Sequence, residues 1–403
     1  MRTFSISIDF VKKILLLLFV TSIFYWIVKY STTKIEYEVV KEKLPIIEPY
    51  FLAINVIIIF SFFLLSFNDI LDFLRKIDKK TWIILFLIFA LGFFSRFFIT
   101  PHTHRIYFDE DIYLDIAKEI LIRWRGALCN NGDNFTCYEY DTMKWPNGHT
   151  FFLAISYLFF GISESIAFNI IAFISSLGII IIFLIGYLLK NEKLGLFSAL
   201  IYALIPVQIQ WSGTVAAETT LAVFTLLSVF FLLLSSKKNN WNLFFLGLSV
   251  LAYSVQAKAE GVFLIPVATI LILLFDKNLK IKFFDNKFIA SILMFFVLIT
   301  PYLIHIVYAS KVDTWGSDEG KFGIKFAKRN IPENLIFFVN GYYQIEHPLM
   351  FTDFAIIGAI YILIKDRRVF VFLFVWFSVF FLLYGFFYAG STRYGADVRY
   401  MLS

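Results

Sequence analysis

The chain has 403 residues, of which 60% are hydrophobic, 20% are aromatic and only 16% are charged, and its mean hydropathy is +0.77. This composition lies outside the range of soluble globular proteins. The formal charge of +6 comes mainly from lysines and arginines in short loops between apolar runs, which excludes nucleic acid as an expected partner. The sequence therefore predicts an all-α polytopic membrane protein.

Short basic loops set the predicted orientation, because Lys and Arg are concentrated in the cytoplasmic loops of membrane proteins. They are residues 75–80, 190–193, 237–238, 277–287 and 365–368. Placing all of them in the cytoplasm predicts about eleven spans. The predicted spans are 14–28, 50–67, 82–99, 166–189, 194–209, 217–235, 241–257, 261–275, 288–309, 349–364 and 369–388. We interpret the first as a retained helix, and residues 1–403 as a single transmembrane domain.

Two long loops then face the non-cytoplasmic side, at about residues 100–149 and 310–348. Chemistry is expected there, because the inner loops are too short to house a site. The apolar run 150–160 is too short to cross about 30 Å of hydrocarbon, and it is interpreted as re-entrant or interfacial. The chain ends at RYMLS, where a further helix would begin, and three alternatives stay open: a fragment, a short variant or a truncated gene product.

The first outer loop contains a predicted amphipathic helix at residues 111–125. Ile112, Ile116, Ile120 and Trp124 form one stripe, with charged residues opposite. We expect this helix to lie on the membrane surface. In the second loop, Pro332 is predicted to start a less regular apolar helix.

Three consecutive acids, Asp109, Glu110 and Asp111, precede that first helix. Acids at this position cap a helix and favour its dipole, and a single acid is enough for that role. The alternative is functional: one carboxylate takes a proton from an acceptor hydroxyl while a neighbour holds a metal ion or orients the acceptor.

Other ionisable residues are predicted at helix ends on the same side of the membrane. Glu218 caps the helix that it opens or makes a second acidic contact, and Lys258 pairs with Glu260 or binds a phosphate. Arg393 and Arg399 clamp a phosphate or are ordinary polar surface. His347 precedes a predicted span, and it either has a function or is only the polar residue at which that span begins. His102 and His104 have no convincing third metal ligand.

Cys129 and Cys137 are the only cysteines, and both fall in the first outer loop. Eight positions separate them. A disulfide between them is expected if the compartment is oxidising.

Three segments resemble the GT-C glycosyltransferases, specifically the branch of the protein O-mannosyltransferases and the aminoarabinose transferases of lipid A. They are FDEDIYLDIAKEIL, KWPNGHTFFLAISYLFFG and LGLFSALIYALIPVQIQWSGTVAAETTLAVF. The resemblance covers roughly residues 82–265, with a weaker similarity at RYMLS. The resemblance rests on the order of these motifs and on the side of the membrane where they are predicted to lie, because no single motif is highly specific.

This resemblance implies a GT-C bundle that moves a sugar, with inversion, from a polyprenyl or dolichyl phosphate carrier to a protein, lipid or glycan acceptor outside the cytoplasm. It implies that Asp109 is the general base and that Glu110 or Glu218 positions substrate or a divalent ion. Lys258, Arg393 and Arg399 would hold the leaving phosphate. His347 is a further candidate for substrate binding.

The competing interpretation is a transporter or lipid flippase. Transporters place charges near the middle of the membrane and usually contain internal repeats. In this chain the predicted charges gather at one face, and no repeat is recognisable, so the transferase is preferred.

Overall fold

A computed structural model gives the structure of the protein. It describes residues 35–133, 136–141, 146–278, 285–312, 320–340 and 347–392, together with positions 22, 26, 28–30, 33 and 345. Most of the predicted first span, and Arg393, Arg399 and the RYMLS segment, lie outside these residues.

Helices dominate the described residues. They are α1 (Tyr37–Leu74), α2 (Lys79–Phe94), α3 (Tyr107–Arg123), α4 (Gly148–Phe160), α5 (Glu164–Leu189), α6 (Glu192–Leu204), α7 (Pro206–Ser212), α8 (Ala217–Lys238), α9 (Trp241–Ala257), α10 (Leu264–Phe275), α11 (Asn286–Val312), α12 (Ile324–Val339), α13 (Leu349–Lys365) and α14 (Arg367–Phe386). A π-helical segment, Ser95–Ile99, follows α2, and a 3-10 segment, Ala259–Phe263, precedes α10. Strands β1 (Leu128–Gly132) and β2 (Cys137–Asp141) form an antiparallel hairpin.

Six of the described helices are long and apolar enough to cross a membrane, or up to seven if a bent pair counts as one span. The bent pair is α6 with α7, which meet at 59°. Three predicted spans correspond to helical segments shorter than 18 residues: Trp241–Ala257, Ala259–Phe275 and Leu349–Lys365. The protein is therefore a multi-pass membrane protein, whereas the predicted count of eleven spans is not confirmed.

Helices α8 and α9 lie at the centre of the bundle and are buried on almost every side. Small and hydroxylated residues bring them together: Ser228 Oγ donates to the Gly247 carbonyl at 2.9 Å, and the Thr225 and Ser254 hydroxyls are 2.8 Å apart. Such contacts allow close packing where lipid offers no hydrophobic driving force between helices.

The predicted amphipathic helix exists as α3, but its surroundings differ from the expectation. Ile112, Ile116 and Ile120 are buried in a cluster with Phe151 and Leu153 of α4. The apolar stripe is therefore covered by protein rather than by lipid, because the short helix α4 packs against it.

The predicted start of a helix at Pro332 is wrong, since α12 begins eight residues earlier and contains Pro332. Tertiary hydrogen bonds hold α12 in place. Asn330 Nδ2 donates to the Phe387 carbonyl at 2.6 Å, and Asn334 Nδ2 donates to the Gly390 carbonyl at 2.9 Å. These bonds come from a distant segment, which the local sequence pattern does not contain.

Proline leaves one carbonyl of α1 without its helical partner, because Pro49 has no N–H to donate to Pro45. The Gly126 N–H donates to this Pro45 carbonyl at 2.7 Å. A side chain at position 126 would collide with the Asn147 amide, so glycine is required for the approach. The end of α3 is thereby fixed against α1.

Pro206 creates a similar break between α6 and α7, where the Tyr202 carbonyl loses its helical donor. Arg96, fully buried in the π-helical segment, replaces it: its guanidinium donates to the Tyr202 carbonyl at 3.1 Å and to the Ala203 carbonyl at 3.3 Å. It also bonds Ser175 Oγ at 3.0 Å. Arg96 takes part in no ion pair with the described residues.

We expect Arg96→Met to lower the stability of the protein by about 2–4 kcal/mol, because buried carbonyls would lose their donors. Thermal denaturation in detergent, followed by the fraction that remains monodisperse, measures this change. Arg75→Met is the matched control, since the Arg75 side chain is 75% exposed. Equal denaturation temperatures for the two variants would contradict this assignment of Arg96.

Candidate active site

Glu110 is completely buried in the first turn of α3, and both of its carboxylate oxygens are hydrogen-bonded. Oε1 accepts from the backbone N–H groups of Arg105 and Ile106, each at 2.9 Å. Oε2 accepts from the Val215 N–H at 2.8 Å and lies 3.1 Å from His104 Nδ1. One side chain thus closes the start of α3 and joins it to the loop before α8.

His149 is buried at the start of α4 and holds the other side of that loop. Its Nε2 lies 2.8 Å from the Val215 carbonyl and its Nδ1 lies 2.8 Å from Thr220 Oγ1. Burial lowers the pKa of His149 to about 4, although the Val215 carbonyl and the charge of Glu218 oppose the shift. The ring is therefore neutral near pH 7, and it donates from Nε2 and accepts at Nδ1.

Glu218 and Lys258 form an ion pair close to this loop, because Glu218 lies three residues after Val215. Lys258 Nζ lies 2.8 Å from Glu218 Oε1 and 2.9 Å from Glu260 Oε1. Glu218 is buried in the first turn of α8, and Lys258 joins α9 to the 3-10 segment. The predicted pairing of Lys258 with Glu260 is present, and Glu218 is a second partner.

Four segments therefore meet at the predicted site: residues 104–111, 147–149, 215–220 and 258–260. The contacts run from Glu110 to Val215, and from Glu218 to Lys258 three residues further along. Asp109 is partly exposed beside Glu110, and Asp111 is exposed. Asp109 therefore remains accessible from solvent, whereas Glu110 does not.

The other predicted site residues are placed differently. His347 Nε2 lies 2.8 Å from Thr352 Oγ1, and its ring packs against Phe337 and Phe338 at the ends of α12 and α13. Burial lowers the pKa of His347. Its hydrogen bond and ring contacts with other described residues lie within residues 337–352. Arg393 and Arg399 fall outside the described residues.

Cys129 and Cys137 are joined by a disulfide across the β1–β2 hairpin. The paired Cα atoms are 5.7 Å apart. This bond stabilises a hairpin that follows α3 and contributes no reactive group to the site.

The described residues offer a poor donor set for the divalent ion considered from the sequence. Glu110 already receives four hydrogen bonds, and Glu218 is paired with Lys258. Among the described residues no three His, Cys, Asp or Glu side chains are grouped as metal ligands would be. The three candidate ligands are Asp109, Glu110 and Glu218, and of these only Asp109 is partly exposed.

Two networks of ionisable and polar side chains were not expected from the sequence. His104 bridges Glu110 and Glu164, the first residue of α5, with Nε2 in contact with the Glu164 carboxylate. In the second network, Glu48 of α1 contacts Asn147 Nδ2 and lies 3.2 Å from His305 Nδ1 of α11. His305 is an isolated ionisable residue inside the predicted span 288–309, and this is the signal that could have identified the second network.

Two comparisons with known proteins bear on this arrangement. A sequence model of the dolichyl-phosphate-mannose-protein mannosyltransferase family matches residues 144–305, which is less than half of the chain. The crystal structure of ArnT from Cupriavidus metallidurans in the apo state superposes with a TM-score of 0.54 at 16% sequence identity. The chain has a GT-C fold. The resemblance to the branch that contains the protein O-mannosyltransferases and the aminoarabinose transferases is confirmed.

The GT-C likeness to ArnT covers 80% of this chain and 57% of the ArnT chain. The matched segment 144–305 includes Glu218, Lys258 and His149, whereas the triple acid precedes it. A comparison with curated protein sequences found no match.

The His104 bridge predicts a dependence of stability on pH. Burial alone would lower the pKa of His104, but hydrogen bonds and charges from Glu164 and Glu110 outweigh it and raise the pKa. A histidine whose pKa is raised by folding stabilises the folded state fully at pH values below its unfolded pKa of about 6.5. This stabilisation is lost as the pH rises through the higher pKa of the folded state.

Melting temperatures measured from pH 5.5 to 9 should show this loss in the unmodified protein and not in His104→Gln. Glu164→Gln removes one of the two acids and should move the loss to lower pH. The same pH profile in all three proteins would contradict the assignment.

Proposed function

We propose that this protein is a membrane glycosyltransferase that moves a sugar from a polyprenyl or dolichyl phosphate carrier to an acceptor on the non-cytoplasmic side, with inversion at the anomeric carbon. The observation that carries the proposal is the joining of the Asp109–Glu110 turn to the Glu218–Lys258 pair through the Val215 loop. The GT-C fold and the family match to residues 144–305 support it.

Asp109 is assigned the role of general base. It is partly exposed at the start of α3, and Glu110 holds the turn on which it stands through four hydrogen bonds. A base must be reachable by an acceptor hydroxyl, which Asp109 satisfies and buried Glu110 does not. Glu110 is therefore a positioning residue.

In the proposed reaction Asp109 accepts the proton of the acceptor hydroxyl, and the hydroxyl oxygen attacks the anomeric carbon from the face opposite the phosphate. The bond from the anomeric carbon to the phosphate oxygen breaks, and its electron pair leaves with the lipid phosphate. Such a leaving group needs stabilisation of its charge and not a covalent intermediate with the enzyme.

Lys258 is proposed to bind the lipid-linked phosphate. Its ammonium is held at 2.8 and 2.9 Å by two carboxylates, so its position is fixed. Glu218 and Glu260 thus position the cation. Arg393, Arg399 and His347 stay candidates for binding the same substrate.

Asp109→Asn should reduce sugar transfer by about 10²- to 10⁴-fold, because the amide cannot accept the proton. The assay uses labelled polyprenyl-phosphate sugars with native membranes as the source of acceptor, and NMR of the product tests inversion. Asp111→Asn, an exposed acid in the same turn, is the matched control. Equal product from wild type and Asp109→Asn would remove Asp109 from catalysis.

Lys258→Ala should weaken binding of polyprenyl-phosphate sugar by tenfold or more, since a buried charge pair lost at a binding site costs about 2 kcal/mol or more. Lys258→Arg should recover part of this affinity. Lys238→Ala tests the loss of a cation at the opposite end of α8, where Lys238 lies 3.4 Å from Asp69. Unchanged donor affinity in folded Lys258→Ala would contradict the phosphate assignment.

A further inference from the structure

A cleft of about 360 Å³ lies away from the proposed active site, between the first two turns of α1 and the β hairpin. Its lining combines two acids, two cations and an aromatic ring: Glu38, Val39, Lys41, Glu42, Arg125 and Tyr140. The opposite charges balance, so the cleft does not suit a polyanion or a strongly cationic ligand.

Three of the lining charges are available to a ligand. Within the described part of the chain, Glu38, Lys41 and Arg125 form no ion pair, although they line one cleft. The Arg125 guanidinium is fixed over the Tyr140 ring, 4.0 Å from its centroid, and its buried Nε has no hydrogen-bond partner. Glu42 differs, because it is already paired with Lys43 at 2.7 Å.

The cleft lies at the level where lipid headgroups are expected. Trp124, next to Arg125, packs edge-on against Tyr50 of α1 with ring centroids 5.4 Å apart, and Trp and Tyr side chains mark the membrane interface. About three helical turns separate Val39 from Tyr50, so both lie on one face of α1. That face continues into exposed apolar side chains that suit lipid tails: Ile54, Ile57, Phe60 and Leu64.

The same geometry argues against an acceptor subsite of the proposed transferase. Asp109 lies in the first turn of α3, and Arg125 follows the last residue of this helix, Arg123, by two positions; the 14 residues from Asp109 to Arg123 correspond to about 21 Å along a helix. A sugar or hydroxyl bound in the cleft would not reach Asp109.

We propose that this cleft binds the headgroup of a zwitterionic phospholipid with a primary amine, phosphatidylethanolamine. The Arg125 guanidinium and the Lys41 ammonium bind the phosphate, and the Glu38 carboxylate accepts hydrogen bonds from the ammonium of the headgroup. A quaternary ammonium has no N–H to donate, and an anionic headgroup leaves Glu38 facing a negative charge. The acyl chains lie along the exposed face of α1.

The test is competitive lipid retention by the full chain purified in detergent. Equimolar phosphatidylethanolamine, phosphatidylcholine and phosphatidylglycerol with identical acyl chains are added, excess is removed by gel filtration, and bound lipid is quantified by mass spectrometry. The wild type should retain phosphatidylethanolamine in preference to both others. Glu38→Gln and Arg125→Gln should each reduce that preference about two- to fivefold.

Arg368→Gln is the matched control, because this exposed cation stands at the start of α14 and should leave the preference unchanged. Glu38 is exposed, so Glu38→Gln should fold normally even if Arg125→Gln does not. Preference for phosphatidylglycerol, equal retention of all three lipids by the wild type, or unchanged preference in folded Glu38→Gln would each overturn the proposal. Sugar transfer by Asp109→Asn is a separate readout, which this result does not affect.

Discussion

The buried carboxylate of Glu110 is the interaction on which the proposed site depends. A carboxylate without exposure to water is stable only if hydrogen bonds replace its hydration, and here four donors do so. Those donors come from the loop before α3, from the loop before α8 and from His104. Consequently the start of α3, the start of α8 and, through His104, the start of α5 are held in one fixed relation.

Breaks in helices are the second constraint, and each is completed by a distant segment. A carbonyl freed by proline inside a membrane protein has no water to bond, so another donor must reach it. The Gly126 N–H serves the break in α1, and the Arg96 guanidinium serves the break between α6 and α7. These contacts join α1 to the segment after α3, and the segment after α2 to the end of α6.

Composition and hydropathy were sufficient to predict a multi-pass helical protein, and the order of three motifs was sufficient to predict the GT-C fold. The number of spans was not predictable, because the bend at Pro206 and the short helices α9 and α13 depend on neighbouring helices. The exposure of α3 was misjudged for the same reason: an amphipathic stripe shows that one face is apolar but not whether protein or lipid covers it.

For the site, the sequence identified the acids at the start of α3 and the residues Glu218 and Lys258, since charges beside apolar runs are conspicuous. The resemblance gave Asp109 and Glu110 different roles, but the sequence did not show that Glu110 alone is buried, because this burial depends on the Val215 loop more than 100 residues away. The sequence assigned no role to His149. Its neutral state follows from burial between Val215 and Thr220, which is a property of tertiary structure.

The donors that complete the broken helices have a consequence for the order of assembly. The Pro45 carbonyl in α1 must wait for Gly126, and Arg96 must wait for the carbonyls of Tyr202 and Ala203, each being made by the ribosome long after the first partner. Arg96 is costly to place in lipid until then. During biogenesis the packing around Arg96 at the end of α2 therefore cannot be completed before α6 has been made.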